Sequence, residues 1–356
     1  MNTLRHRSRN VDLPTSWFGH RRWWVTGPMT QPIQGSTAAV RARGLTKIFS
    51  DGVGVHDLSL DVEPGTIFGF IGPSGSGKTT TIRLMTGILG PDSGELSVLG
   101  KTPADFDRSD RSRLGYMPQL SVLYPHLTIW ENLGFSASLF GVPWRGRRRR
   151  MKGQLQLVDL HDARARLLRE SSGGMQRRLA LAATLIHNPD LLFLDEPTAG
   201  IDPILRKKVW DHFVDLRNQG RTLFITTQYV GEAAYCDRVG VLAEGRLIAV
   251  DTPEGLRRQA YGGEVLDVIF ARPLLAPQLD QLAETVSATQ VERVGFSEVR
   301  LVVADAGEAS PQVTAWATEA GVEIEAVEPY LPAFDDVFVE LITKLTAIRE
   351  APEAVA

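Results

Sequence analysis

Gly72-Pro73-Ser74-Gly75-Ser76-Gly77-Lys78-Thr79 stands between an apolar run, Thr66 to Ile71, and a helical pattern from Lys78 to Gly87. The spacing G-x-x-x-x-G-K-[ST], after a buried strand and before a helix, is that of a phosphate-binding loop. Its glycines let successive backbone N–H groups turn inward toward phosphate oxygens, at the positive end of the helix. Lys78 then reaches the β and γ phosphates, and the Thr79 hydroxyl is placed to ligate Mg2+. The whole loop, Gly72 to Thr79 with the adjoining Thr80, is the expected phosphate-binding set. Strand, loop and helix together open a βαβ unit.

Outward from the loop, strands recur at Val40 to Leu45, Val55 to Val62, Leu191 to Leu194, Thr222 to Thr226 and Val239 to Ala243. Helical stretches separate them, among them Met175 to His187 and Ile204 to Asn218. This is α/β with a largely parallel central sheet. Leu191-Leu192-Phe193-Leu194-Asp195-Glu196 ends an apolar strand in two carboxylates, at the sheet edge where ligands bind in such folds. Asp195 is suited to hold Mg2+, and Glu196 to polarise a water in line with the γ phosphate.

Between about Gln119 and Arg169 the apolar spacing is helical, and Trp130 to Leu139 and Met151 to Leu160 read as an inserted helical lobe. The Arg145 to Arg150 run within it is expected as a solvated face rather than a lipid contact. A boundary is expected near Arg258 to Gly263. Beyond it the order is strand (Val265 to Ala271), helix (Ala276 to Val286), strand, strand (Glu298 to Ala304), helix (Pro311 to Ala320), strand (Val322 to Val327), which is βαββαβ and ferredoxin-like. A last helix is expected from Phe334 to Ala347. The expected division is a tail over 1–37, a nucleotide domain over 38–258 with its lobe at about 119–178, and a small α+β domain over 263–349.

The 356 residues are 43% apolar and 23% charged, which excludes collagenous and wholly disordered chains. No run of about 18 apolar residues occurs, so membrane work needs a partner. One cysteine, Cys236, forms no intrachain disulfide and no cysteine-based zinc site, and it is expected as buried packing. The net charge of −3 hides +4 over residues 1–37, +5 over the middle and −12 over 263–356. The acidic segment 263–356 repels phosphate, so no nucleic-acid partner is expected there. Trp17, Phe18, Trp23 and Trp24 among five arginines read as a disordered extension or an over-long start, with Met29 the alternative initiator. Arg21-Arg22 lacks the apolar region an export signal needs.

Ser172-Gly173-Gly174-Met175-Gln176, about 20 residues before Asp195-Glu196, resembles the signature motif of ABC transporter ATPases, and the resemblance runs over about 220 residues, Ala38 to Arg258. It implies a P-loop NTPase fold binding ATP and Mg2+. Gln119, in Gly115-Tyr116-Met117-Pro118-Gln119, resembles the family's glutamine loop, implying contact with nucleotide and metal. Asp202, in Gly200-Ile201-Asp202, resembles its D-loop, and Phe49 holds the place of the aromatic that stacks on adenine. Ser172, Gly173 and Gly174, at a helix start that is an anion site in its own right, are implied to complete the site of an opposing copy, giving a head-to-tail dimer around two nucleotides.

Two positions depart from the pattern. Ser171 stands where the family usually has an apolar residue, and Gln228, in Thr226-Thr227-Gln228-Tyr229, stands where most members carry the switch histidine. Glutamine donates a hydrogen bond but carries no positive charge, so hydrolysis is expected to persist at a lower rate or with altered coupling. The Thr-Thr-Gln-Tyr wording resembles a branch of drug and antibiotic exporters. Phe334-Asp335-Asp336-Val337-Phe338 resembles the Asp-Val-Phe segment ending ATPases that serve separate six-helix permeases. The expectation is an ATP-hydrolysing export subunit at the cytoplasmic face of the membrane, paired with a second copy and with integral membrane permeases. An import ATPase and a non-transport ABC regulator are the alternatives.

Overall fold

The computed structural model describes residues 38–120 and 122–350, with side chains as far as Lys344; the tail reading at 1–37 lies outside the described residues. Strand β1 (Val40–Ile48) pairs antiparallel with β2 (Gly54–Val62). Strand β3 (Ile67–Ile71) feeds the phosphate loop and α1 (Lys78–Met85). β4 (Ser93–Val98), the short α2 (Arg108–Ser112) and β5 (Leu114–Met117) follow. Helices α3 (Ile129–Leu139) and α4 (Trp144–Leu157) build the lobe, and α5 (Gly173–Leu185) returns to β6 (Leu191–Asp195). Next come α6 (Pro203–Asn218), β7 (Thr222–Thr227), β8 (Arg238–Ala243), β9 (Arg246–Asp251) and α7 (Pro253–Tyr261). The remainder is β10 (Glu264–Phe270), α8 (Ala276–Thr285), β11 (Gln290–Arg293), β12 (Glu298–Val303), α9 (Ala306–Ala320), β13 (Ile324–Tyr330) and α10 (Phe334–Glu350).

The central sheet has the order β5-β6-β7-β3-β8-β9, parallel except for β9. Strands β3, β6 and β7 at its centre are buried on both faces, which is why they read as nearly continuous apolar runs. Alternate residues sort onto the two faces. Phe68, Phe70, Phe193 and Phe224 pack toward the antiparallel sheet β2-β1-β4 and α1, with Phe68 stacked on Phe224 at 5.4 Å. Ile67, Ile71, Leu192, Leu194, Leu223 and Ile225 face the helical core shared with α3, α5 and α6. Gly69 has no room for a side chain, because a Cβ there would lie 2.6 Å from the sulfur of Cys236, which is buried as the sequence suggests.

Gly262, in the left-handed region at φ 80°, caps α7 and turns the chain into β10. A second antiparallel sheet, β11-β12-β10-β13, then packs its apolar face on α8 and α9 around Leu266, Phe270, Leu301, Val313 and Trp316. Helix α10 does not join that core. Its Phe334, Val337 and Leu341 enter the helical core of the central sheet, beside Ala233, Leu256 and Ala260, and the guanidinium of Arg257 lies 5.2 Å over the Phe334 ring. In the lobe, non-helical backbone at Arg145 and Gly146 kinks the start of α4. Arg145, Arg148, Arg149 and Arg150 are exposed, whereas Arg147 bonds the Ser138 hydroxyl at 2.7 Å.

Candidate active site

The phosphate loop closes on itself through its own lysine. Lys78 is buried, and its ammonium donates to the carbonyls of Gly72 (2.8 Å) and Pro73 (2.9 Å). Burial pulls its pKa below the usual lysine range, while the carboxylates of Glu196 and Asp195 push the other way. A Cβ at Gly72 would sit 2.2 Å from the Leu242 carbonyl, so only glycine fits. Gly77, at φ 105°, caps α1 with no side-chain bond to the helix. The first N–H groups of α1 therefore have no acceptor within the helix. The buried Ser76 hydroxyl also has no partner, while Pro73, Ser74 and Gly75 form the exposed rim of the loop and Thr80 is half-buried on α1. Unpaired donors at a helix start, beside a buried cation, fit a phosphate chain.

Opposite the loop, the fully buried Asp195 accepts from the Thr79 hydroxyl at 2.7 Å and from the Thr226 hydroxyl at 2.6 Å. Glu196 has a left-handed backbone, φ 52°, which costs a non-glycine residue about 1 kcal/mol or more. Its N–H is held by the Thr226 carbonyl (3.0 Å) and hydroxyl (3.1 Å). That turn brings the Glu196 carboxylate 4.0 Å from the Lys78 ammonium and 3.4 Å from the Gln119 amide nitrogen. The structure thus brings Gln119 to Glu196; its bond is not to the Thr79–Asp195 pair.

Arg177, on α5, stitches these segments together and was not singled out from the sequence. It donates to the carbonyls of Gln119 (3.0 Å), Asp195 (2.9 Å) and Glu196 (2.9 Å from Nε). Thr226 is likewise central. The available signal was two threonines closing an otherwise apolar strand; for Arg177 there was none beyond its place on the first turns of α5.

The other expected residues lie around this centre. Ser172 caps α5, accepting from the Met175 N–H at 3.3 Å, and it is exposed together with Gly173. Gly174 faces Gly200, whose carbonyl lies 3.6 Å from where a Cβ would stand. Ser171 is buried without penalty, because its hydroxyl donates to the Leu167 carbonyl at 3.1 Å. Asp202 caps α6 through the Leu205 N–H at 3.0 Å. Gln228 is exposed just beyond β7. Phe49, 41% exposed, lies in the β1–β2 turn, and the start of β2 abuts the loop, with Val55 3.1 Å from a Cβ placed at Gly77.

A match to the family described as ABC transporter covers residues 55–199. A daunorubicin resistance ATP-binding protein of Streptomyces coeruleorubidus is 36% identical over 318 residues, 89% of this chain and 98% of that protein. The chain belongs to the ABC transporter ATP-binding proteins. A Nod factor export ATP-binding protein of Ralstonia nicotianae is 39% identical, over 72% of this chain and 81% of that one. A probable multidrug ABC transporter ATP-binding protein of Escherichia coli is 37% identical over 68% of this chain, which spans only 42% of that longer relative. Among solved structures, an ATP-binding subunit of an ABC transporter superposes with TM-score 0.58 at 26% identity, covering 62% of this chain and 93% of its own. A dimeric post-hydrolysis cassette bound to ADP and phosphate gives TM-score 0.56 at 25% identity, over 60% of this chain and 98% of its own. In this ABC transporter ATP-binding protein the family match takes in the loop, Gln119, Ser172 to Gly174, Asp195 and Glu196. It stops before Asp202 and Gln228 and begins after Phe49.

Proposed function

We propose that this chain is the ATP-hydrolysing subunit of an ABC exporter. The observation that carries the reading is the convergence of Lys78, Thr79, Asp195 and Glu196 at one end of the central sheet, with Thr79 bonded to Asp195 and Glu196 beside Lys78. Lys78 and the N–H groups at the start of α1 bind the phosphates, and the Ser76 hydroxyl is free to join them. Thr79 and Asp195 are hard oxygen donors suited to Mg2+, and the Gln119 amide oxygen is a third. When bound, Mg2+ neutralises charge on the phosphate oxygens. Glu196 takes a proton from the attacking water, with Gln119 and Arg177 fixing its loop. Phe49 stacks on the base.

Ser172, Gly173 and Gly174, exposed at the start of α5, serve the nucleotide of a second copy, and Asp202 lies at the same interface. Among the described residues no helix is long and apolar enough to cross a membrane. Membership of the ABC transporter ATP-binding proteins supports integral membrane permeases as the transport path, with this chain held at their cytoplasmic face. The relatives are named for multidrug transport, daunorubicin resistance and Nod factor export, so the cargo is read as a drug, antibiotic, lipid or related compound; no nucleic acid enters the reading. Residues 38–258 form the nucleotide domain, its lobe at about 119–178. The accessory domain expected over 263–349 is read as β10 to β13 with α8 and α9, whose βαββαβ order and four-stranded antiparallel sheet are ferredoxin-like, while its last helix, α10, packs back on the nucleotide domain.

Export is tested by co-expressing the chain with a six-helix permease in cells loaded with a fluorescent amphipathic drug. Energy-dependent efflux is expected with the wild-type chain and not with Glu196→Gln; equal drug retention in the two overturns the reading. Gln228, at the end of β7, is read as a neutral donor to the γ phosphate. Gln228→Ala is expected to lower kcat about tenfold, whereas Gln228→His should equal or exceed wild type at pH 7. ATPase rates of the permease complex measure both, and indistinguishable rates make Gln228 a bystander.

A further inference from the structure

Glu232 is a carboxylate buried to 4% exposure in the 3-10 turn Val230–Tyr235, four residues beyond Gln228. Its two oxygens are used separately. Oε1 accepts from the Thr198 hydroxyl at 2.7 Å, and Oε2 accepts from the Thr227 hydroxyl at 2.7 Å. Thr198 follows Glu196 by two residues, in a turn whose Ala199 N–H donates to the Glu196 carbonyl at 3.2 Å. Thr227 precedes Gln228, and its hydroxyl also accepts from the Tyr229 N–H on the far side at 3.0 Å. One side chain thus holds the turn after Glu196 and the residue before Gln228 directly, and reaches the residue after Gln228 only through the Thr227 hydroxyl.

Arg206 completes the arrangement. Its Nε lies 3.8 Å from Glu232 Oε1, and its guanidinium covers the Tyr229 ring at 4.4 Å. Its Nη2 donates to the Ile201 carbonyl at 3.2 Å, on the loop that leads to Asp202. An apolar side chain would fill this space without the cost of burying a charge. What a carboxylate adds is two acceptor oxygens on one side chain, each taken by a hydroxyl donor on a different loop.

We infer that Glu232 is a positioning residue for hydrolysis, tying the loop that carries Glu196 to the loop that carries Gln228 so that both face the γ phosphate in one geometry. The inference rests on the site reading above and extends it to a residue that touches neither nucleotide nor metal. It acts on the placement of Glu196 and Gln228 and not on the phosphate-binding loop, so its loss is expected in turnover and not in ATP binding.

The experiment uses the full chain with its permease. Glu232→Ala is expected to lower kcat about ten- to hundredfold while KM and Kd for ATP stay within about twofold. Glu232→Gln should recover part of the rate, since shape and one acceptor oxygen remain. A brace for folding alone would lower Tm and leave kcat per folded molecule unchanged, and that result overturns the inference. If Glu232→Ala does not fold, Thr198→Val and Thr227→Val remove the donors singly without opening a cavity. Unchanged kcat in both variants overturns it equally. Glu196→Gln is measured alongside. Full turnover in that variant overturns the site reading and this inference together, whereas a dead Glu196→Gln beside an unaffected Glu232→Ala overturns this inference alone.

Discussion

Glu196→Gln is expected to lower ATP turnover about 10²–10⁴-fold, the range a general base supplies, and to leave ATP binding intact. The amide keeps the side-chain shape but takes no proton from water at neutral pH. The groups assigned to phosphate and metal, Lys78, Thr79 and Asp195, keep their mutual contacts in the variant, because none of those contacts runs through Glu196 except the 4.0 Å approach to Lys78. Replacing the carboxylate also removes a negative charge facing the γ phosphate, so affinity should hold or rise. With Ser172 to Gly174 supplying the second face of the nucleotide, the ATP-loaded variant accumulates as a dimer. Light scattering at saturating MgATP reads the assembly, and a phosphate-release assay reads the rate. A variant that hydrolyses ATP at the wild-type rate removes Glu196 from the proposed chemistry, and a monomer at saturating ATP in the permease complex removes the shared site.

Lys78→Ala should cost about hundredfold or more in ATP affinity, since a charge-assisted contact contributes about 1.5–3 kcal/mol and the ammonium is assigned two phosphates. Folding should suffer little. The ammonium is buried against two carbonyls, and its burial already disfavours the charged form, so its removal deletes a desolvated charge along with two hydrogen bonds. Calorimetric ATP titration beside a thermal melt of the nucleotide-free protein separates the two effects. Unchanged affinity would reject the loop as the nucleotide site. The same burial gives a pH signature. ATP binds the protonated amine, and the free site holds that amine at a lowered pKa. Affinity of the wild type should therefore weaken as pH rises through a value below the ordinary lysine range, and Lys78→Ala should lack that step.

How far the residues spoke for themselves depended on the range of the interaction. The helix start at Lys78, the buried strands β3, β6 and β7, and the carboxylate pair closing β6 were legible because each is a local pattern, carried by covalent neighbours and by alternation along a strand. Short or half-exposed elements were not. β5 is four residues, Leu114-Gly115-Tyr116-Met117, and a run that short has no period to read. β9 is half-buried at the sheet edge, where apolar alternation is weak.

The sequence by itself determined that a phosphate loop opens a βαβ unit, that an apolar strand delivers Asp195 and Glu196 to a sheet edge, and that Ser172 to Gly174 begin a helix; each follows from residues within one turn or strand of each other. Only the tertiary structure decided which side chains serve that edge. Thr226 reaches Asp195 because the parallel register of β6 and β7 sets those two residues opposite each other. Arg177 reaches three carbonyls because α5, packed beside β5, brings it to the loops that leave β5 and β6. Glu232 joins Thr198 to Thr227, 34 and 5 residues away in the chain. Polar pairings of this kind depend on strand order and register. Those are settled by burying both faces of the sheet at once, and no local stretch of residues encodes them.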